Sequence, residues 1–169
     1  MTHLDRSFGR RAFGADPANY DTVRPAYPDW VFDTLRTTCG LGAGSAVFEI
    51  GAGTGSATRA LLAAGAEVVA VEPDARLAGF LRARVTSPSL RVLTQAFDDA
   101  HLSEHAFDLG LAATSFHWLD EAPALAKIAR LLKPGGWWAA LWNVFGDDAY
   151  PDPFHKATHG ILAAPLPGV

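Results

Sequence analysis

The chain has one cysteine, Cys39, in 169 residues, so no internal disulfide can form and a reducing compartment is the simpler expectation. It has no basic excess either: 14 Lys and Arg stand against 18 Asp and Glu, a formal net charge of -4. That balance argues against the clustered cationic face that DNA or bulk RNA requires. No segment approaches the roughly 18 consecutive apolar residues of a membrane helix, and Met1-Thr2-His3-Leu4-Asp5-Arg6 offers nothing like the apolar core of a secretory signal. A soluble, cytoplasmic protein with no nucleic-acid or membrane partner is therefore expected. Internal repeats and low-complexity tracts are missing as well. What remains is the composition of a globular chain, 49% hydrophobic and 19% charged, at a length that can bury about 70% of its unfolded surface. One domain with a proper core follows.

The first 25 residues are polar and broken by Gly9, Gly14, Pro17 and Pro25, which predicts an irregular arm or a short helix laid over the domain. After Pro28, with Asp29 as cap, Trp30, Val31, Phe32 and Leu35 recur at helical spacing up to Cys39-Gly40. From there apolar runs alternate with helical patterns. Strands are expected at Ala46–Ile50, Glu67–Val71, Leu90–Thr94, Phe107–Ala112 and Trp137–Val144. Helices are expected at Ser56–Ala64, at Asp74–Val85 with Asp74 capping, and at Glu121–Leu132, stopped by Pro134-Gly135-Gly136. This alternation implies βαβ units: an α/β, Rossmann-like, doubly wound and mostly parallel sheet with helices on both faces. In such sheets ligands sit beyond the carboxyl ends of the strands, where strand order reverses. Gly51–Gly55, Glu72 and Phe116-His117-Trp118 should converge there.

The most telling segment is Val47-Phe48-Glu49-Ile50-Gly51-Ala52-Gly53-Thr54-Gly55, a strand running into three alternating glycines, with Glu72 closing the next apolar run. Residues without a Cβ let the main chain turn sharply and lie bare against a flat, nucleotide-type ligand. A dinucleotide fingerprint would need its third glycine at position 56, which is Ser56. Glu49, inside the strand, would also repel a diphosphate. A cofactor without phosphate but with a cationic centre and an ammonium group fits better, and a nicotinamide-dependent oxidoreductase is disfavoured.

At these residues the chain resembles a class I S-adenosylmethionine-dependent methyltransferase of the compact bacterial small-molecule type, over roughly residues 8–145. Glu49-Ile50-Gly51-Ala52-Gly53-Thr54-Gly55 is similar to the family's acid-x-G-x-G-x-G loop, and Val71-Glu72-Pro73-Asp74 to its ribose-binding acid and turn. Ala96-Phe97-Asp98 resembles the segment that frames adenine. Phe107-Asp108-Leu109 leading to Ala113-Thr114-Ser115-Phe116-His117-Trp118 resembles the fourth strand and its active-site end, and Leu131-Leu132-Lys133-Pro134-Gly135-Gly136 the turn before strand five. Tyr20-Asp21-x-x-Arg24-Pro25-x-Tyr27-Pro28 is similar to the arm that closes over the cofactor.

The resemblance implies S-adenosyl-L-methionine as cofactor and methyl transfer to an oxygen, nitrogen or carboxylate of a small molecule. It also implies an arm at residues 1–28, a cofactor domain at 29–145 and a short C-terminal segment at 146–169. Glu72 would accept both ribose hydroxyls. Glu49 would contact the cofactor or bond loop amides. Phe97 would stack on or pack against adenine and Asp98 accept its exocyclic amine, unless Asp98-Asp99 is only a solvated turn. Phe116 and Trp118 would shape the acceptor pocket or simply pack in the core. His117 would act as general base, hold a substrate oxygen, or be structural. Tyr20 would lie over the sulfonium and Arg24 face an acidic acceptor, the alternative being an exposed arm.

His155 and His159, at i and i+4, have a metal-binding spacing but no third ligand in view, so no metal site is expected. The family's sheet normally continues through a further helix and an antiparallel strand pair. Only about 25 residues follow Val144, rich in proline, and strand five with Trp137, Trp138 and Trp142 should form an exposed edge. Truncation, a partner or second copy over the edge, or a noncatalytic cofactor-binding module would each account for this.

Overall fold

A computed structural model of the protein describes residues 14–143 and Pro153. Helix α1 spans Pro17–Val23, α2 Asp29–Cys39, α3 Ser56–Ala63, α4 Ala75–Arg84 and α5 Glu121–Leu131. Strands are β1 Ala46–Ile50, β2 Glu67–Val71, β3 Leu90–Leu93, β4 Phe107–Ala113 and β5 Leu132–Leu141, with a 3-10 turn at Phe116–Trp118. They form one five-stranded sheet in the order β3-β2-β1-β4-β5, every pair parallel. The chain builds outward from β1 to β3, then returns to the other side of β1 to lay down β4 and β5. Strand order therefore reverses between β1 and β4.

Local chemistry sets the boundaries. Asp16 accepts from the Asn19 amide at 3.0 Å and Pro17 opens α1, so the polar arm does contain a short helix. Asp74 caps α4 through the Arg76 amide at 2.8 Å, as the sequence implied. Asp29 is different: it is the first helical residue, and Pro28 holds the cap position without a side-chain bond. An acid in the first turn still complements the helix dipole.

Strand β5 also starts earlier than its apolar run. Leu132 already pairs with Phe107, and the register then jumps so that Leu109 faces Trp137. Pro134-Gly135-Gly136 therefore lies inside the strand as an irregularity, not ahead of it, because Pro134 cannot donate to a ladder and the chain bulges there.

Strand β1 is buried on both faces, which is why its sequence is an apolar run rather than an alternation. On one face Val47 belongs to a cluster with Phe32 and Leu35 of α2, Leu61 of α3 and Leu81 of α4. On the other, Phe48 and Ile50 share a cluster with Phe97, Phe107, and Ile128 and Leu131 of α5. Phe48 is the hub of that second face. Its ring stacks with Phe97 at 6.1 Å and Trp138 at 6.3 Å and meets Phe107 edge-on at 5.1 Å. Gly110 on β4 makes room for it, since a Cβ there would stand 2.3 Å from the ring.

Candidate functional site

The carboxyl ends of β1, β2 and β4 open on a cavity of about 670 Å³. Its floor is the loop after β1. Gly51, Gly53 and Gly55 all have left-handed backbone, φ 68°, 59° and 89°, but they serve different ends. A Cβ on Gly51 would strike Ser115, and one on Gly55 would strike Leu81 of α4, whereas one on Gly53 would meet nothing within 4 Å. Gly53 therefore lines the cavity as bare backbone with open space before it; Gly55 buries a helix contact and is not part of the cavity wall. Ala52 and Thr54 flank Gly53 in that wall.

Two buried acids stand beside this loop. Glu72, 5% exposed, accepts from the Gly53 amide at 2.8 Å and the Asp74 amide at 2.9 Å, so the acid at the tip of β2 pins both the glycine loop and the Pro73 turn. An ionised carboxylate accepts up to about four hydrogen bonds, so this clip is compatible with taking ligand hydroxyls too. Glu49, 1% exposed, accepts from the Thr58 hydroxyl of α3 at 2.5 Å. Burial pushes its carboxyl up to about 7, against the Thr58 bond, and the neighbouring charge of Glu72 adds to the rise. The partner of Glu49 is thus Thr58 and not the loop amides. Thr58 was not legible in advance, because one helical threonine looks like any other.

The far walls come from β4, the loop after β3, and the arm. Ser115, buried, donates to the Ile50 carbonyl and so ties the ends of β1 and β4 across the point of reversal. Thr114 has φ 57°, an uncommon conformation for a β-branched residue, and its hydroxyl shares a 2.9 Å hydrogen bond with Tyr27 of the arm. Ala113 and Thr114 both line the cavity, as do Ala96, Phe97 and Asp98. The Phe97 ring is buried against Phe48 and lies under the Lys127 ammonium, while Asp98 is exposed.

From the arm, Tyr20, Asp21, Arg24 and Tyr27 close one side. The Arg24 guanidinium sits 5.5 Å from the Tyr20 ring centroid, and burial pushes the Tyr20 phenol up. Asp21 pairs with Arg59 of α3 at 3.0 Å. Burial opposes its ionisation, but hydrogen bonds from Thr54 and Arg59 outweigh it and hold the carboxyl below the ordinary value.

His117 is exposed on the 3-10 turn and lines the cavity beside Trp118, their rings 4.7 Å apart. Phe116 turns away to pack on Trp138 at 5.4 Å and is outside the wall. His155, His159, the first 13 residues and Val144 lie outside the described residues, while Trp142 and Asn143, expected in strand five, follow its end at Leu141 without strand structure.

The charges discriminate between ligands. Of the three arginines in the wall, Arg59 is engaged by Asp21 and Arg76 by Asp74, Arg24 lies against the Tyr20 ring on the arm side, and on the loop side the wall holds the two buried acids. A diphosphate placed on Gly53 would meet Glu49 and Glu72; a cationic, phosphate-free nucleoside would meet complementary charge.

Sequence comparison agrees: the family model described as a methyltransferase domain matches residues 48–140. The chain belongs to the class I S-adenosylmethionine-dependent methyltransferases. An uncharacterized methyltransferase of Mycobacterium tuberculosis is 35% identical over 132 residues, 78% of this chain and 52% of that protein. One from Schizosaccharomyces pombe is 31% identical over 135 residues, 79% of this chain and 53% of that protein. The chain thus spans about half the length of the curated relatives it matches. In fold it is similar to a SAM-dependent methyltransferase from Aquifex aeolicus, with a TM-score of 0.62 over 87% of this chain and 85% of that one at 18% identity. Among the described residues of this methyltransferase chain, no helix is long and apolar enough to cross a membrane.

Proposed function

We propose that the cavity binds S-adenosyl-L-methionine and that the protein transfers its methyl group to an oxygen, nitrogen or carboxylate of a small molecule. The observation that carries this reading is the bare Gly53 backbone flanked by two buried acids, Glu49 and Glu72, at the reversal of strand order. Glu72 takes the ribose hydroxyls while fixing the loop; Gly51, Ala52, Gly53, Thr54 and Pro73 form the cradle; Ala96, Phe97 and Asp98 frame the base; Ala113 and Thr114 close the methyl end. Glu49, held near 7 by burial, gives up its proton as the cationic part of the donor binds and then carries negative charge toward it.

The bound donor supplies a methyl group on a positively charged sulfur, a leaving group already activated. The protein's share is orientation, which alone can be worth about 7–11 kcal/mol. Tyr20 and Arg24 of the arm (residues 1–28) cover the donor and face an acidic acceptor, with Trp118 shaping its pocket. His117, exposed at the mouth, takes the proton from a hydroxyl or amine acceptor; a carboxylate acceptor needs no base. We place the protein in the cytoplasm, with residues 29–145 as the donor domain and a second copy covering the β5 edge.

Transfer of label from methyl-labelled donor to a panel of hydroxyl, amine and carboxylate acceptors tests the reading. Turnover on at least one of them is expected, and for hydroxyl or amine acceptors a rate that rises through neutrality and flattens in His117→Ala. Donor binding with no turnover on any class would favour a noncatalytic donor-binding module instead.

A further inference from the structure

Outside the cavity, one side chain on α5 is used in an unusual way. The Lys127 ammonium donates to three main-chain carbonyls of the loop after β3: Phe97 at 2.5 Å, Ala100 at 2.8 Å and Asp98 at 3.0 Å. It also stands 4.8 Å from the centroid of the Phe97 ring. An ammonium has three donors, and here all three are spent on one loop. Burial lowers its basicity, the nearby charges of Asp98 and Asp99 oppose that, and with no carboxylate within ion-pair distance among the described residues the carbonyl dipoles and ring make the direct contacts.

The geometry has a consequence for the opposite side of the loop. In a trans peptide the carbonyl and amide point in opposite directions, so drawing the Phe97 carbonyl onto Lys127 sends the Asp98 N–H the other way. That N–H has no hydrogen-bond partner among the described residues, whereas the next two amides close turns, Asp99 onto Ala96 and Ala100 onto Phe97. Ala96, Phe97 and Asp98 all line the cavity.

We propose that Lys127 is a positioning residue for base recognition: by gathering the carbonyls of Phe97, Asp98 and Ala100 it presents the Asp98 amide donor and carboxylate acceptor to the edge of an adenine. This rests on the reading of the cavity as the adenosyl donor site. An amide N–H beside a carboxylate matches the ring nitrogen and amine of adenine and mismatches the N–H and carbonyl of a 6-oxopurine. Lys127 thus sets selectivity for the base without touching it.

The test is calorimetric titration of the wild type, Lys127→Met and Lys127→Arg with S-adenosylhomocysteine and with S-inosylhomocysteine, in which oxygen replaces the amine. The wild type is expected to prefer the adenosyl ligand by about tenfold or more. Lys127→Met should weaken the adenosyl ligand by about tenfold and the inosyl ligand by less than threefold, so that the preference collapses. Lys127→Arg, whose planar fork cannot aim three donors at one loop, should resemble Lys127→Met. Equal weakening of both ligands, or no change in either, overturns the role of Lys127 and leaves the donor site standing. Failure of the wild type to bind either ligand overturns the donor-site reading and the proposal with it.

Discussion

At the scale of single residues, the two buried acids make separable predictions. Glu49 holds its proton more tightly in the folded state, with a carboxyl at about 7 against an ordinary 4.5. A raised value means that the folded state binds more protons, so stability should fall as pH rises from about 4.5 to about 7, by on the order of 3 kcal/mol, and then level off. Urea unfolding at pH 5 and pH 8 should show Glu49→Gln losing less stability than the wild type over that interval; equal losses would refute the assignment. The glycines separate too. Gly53→Ala meets open space but keeps a left-handed φ, so it should cost about 1 kcal/mol of stability while blocking the donor. Gly110→Ala, 2.3 Å from the Phe48 ring, should destabilise by more, about 1–3 kcal/mol, and be seen first as a fall in Tm.

The places of Gly51, Gly53 and Glu72 at the cavity were legible because they belong to short, ordered motifs; Gly55, expected in the same wall, instead packs against Leu81. The ties of Thr58 to Glu49, Tyr27 to Thr114 and Lys127 to three carbonyls were not, since each joins segments whose separation in sequence says nothing about their meeting in space.

At the scale of elements, the arm is held over the cavity by polar contacts. None of the residues of α1 is buried, and its tie to α3 is the Asp21–Arg59 pair, partly exposed on both sides. Pairs of that kind contribute about 0–1 kcal/mol, so Arg59→Ala should barely move the Tm yet speed amide hydrogen exchange across residues 17–23. Unchanged exchange would mean that other contacts seat the arm. The strands and helices of the core were read from sequence to within a residue or two because each buried strand is a short apolar run between breakers. Neither end of β5 was: it stops at Leu141, with Trp142 and Asn143 outside it, and its first residues, Leu132 to Gly136, carry a proline and two glycines and read as a turn. Only the pairing of Leu132 with Phe107 makes them strand.

At the scale of the whole molecule, β5 is the outer strand among the described residues, with Trp137 46% exposed and Trp142, just past its end, 48% exposed. Trp138 between them is anchored on Phe48 and Phe116, which accounts for one of the three tryptophans expected at the edge. Exposed indole rings beside an outer strand favour association. Sedimentation velocity should show concentration-dependent self-association that Trp137→Lys with Trp142→Lys suppresses; a wild type monomeric at every concentration would contradict it.

The architecture behind all of this is a parallel sheet whose reversal point brings two buried acids to a bare glycine. Its central claim is that this point holds an adenosyl donor. Calorimetric titration with S-adenosylhomocysteine tests it most directly: one-site binding is predicted, weakened about 100-fold in Glu72→Ala. No heat with either S-adenosylmethionine or its demethylated product, or equal affinity in Glu72→Ala and the wild type, would contradict it.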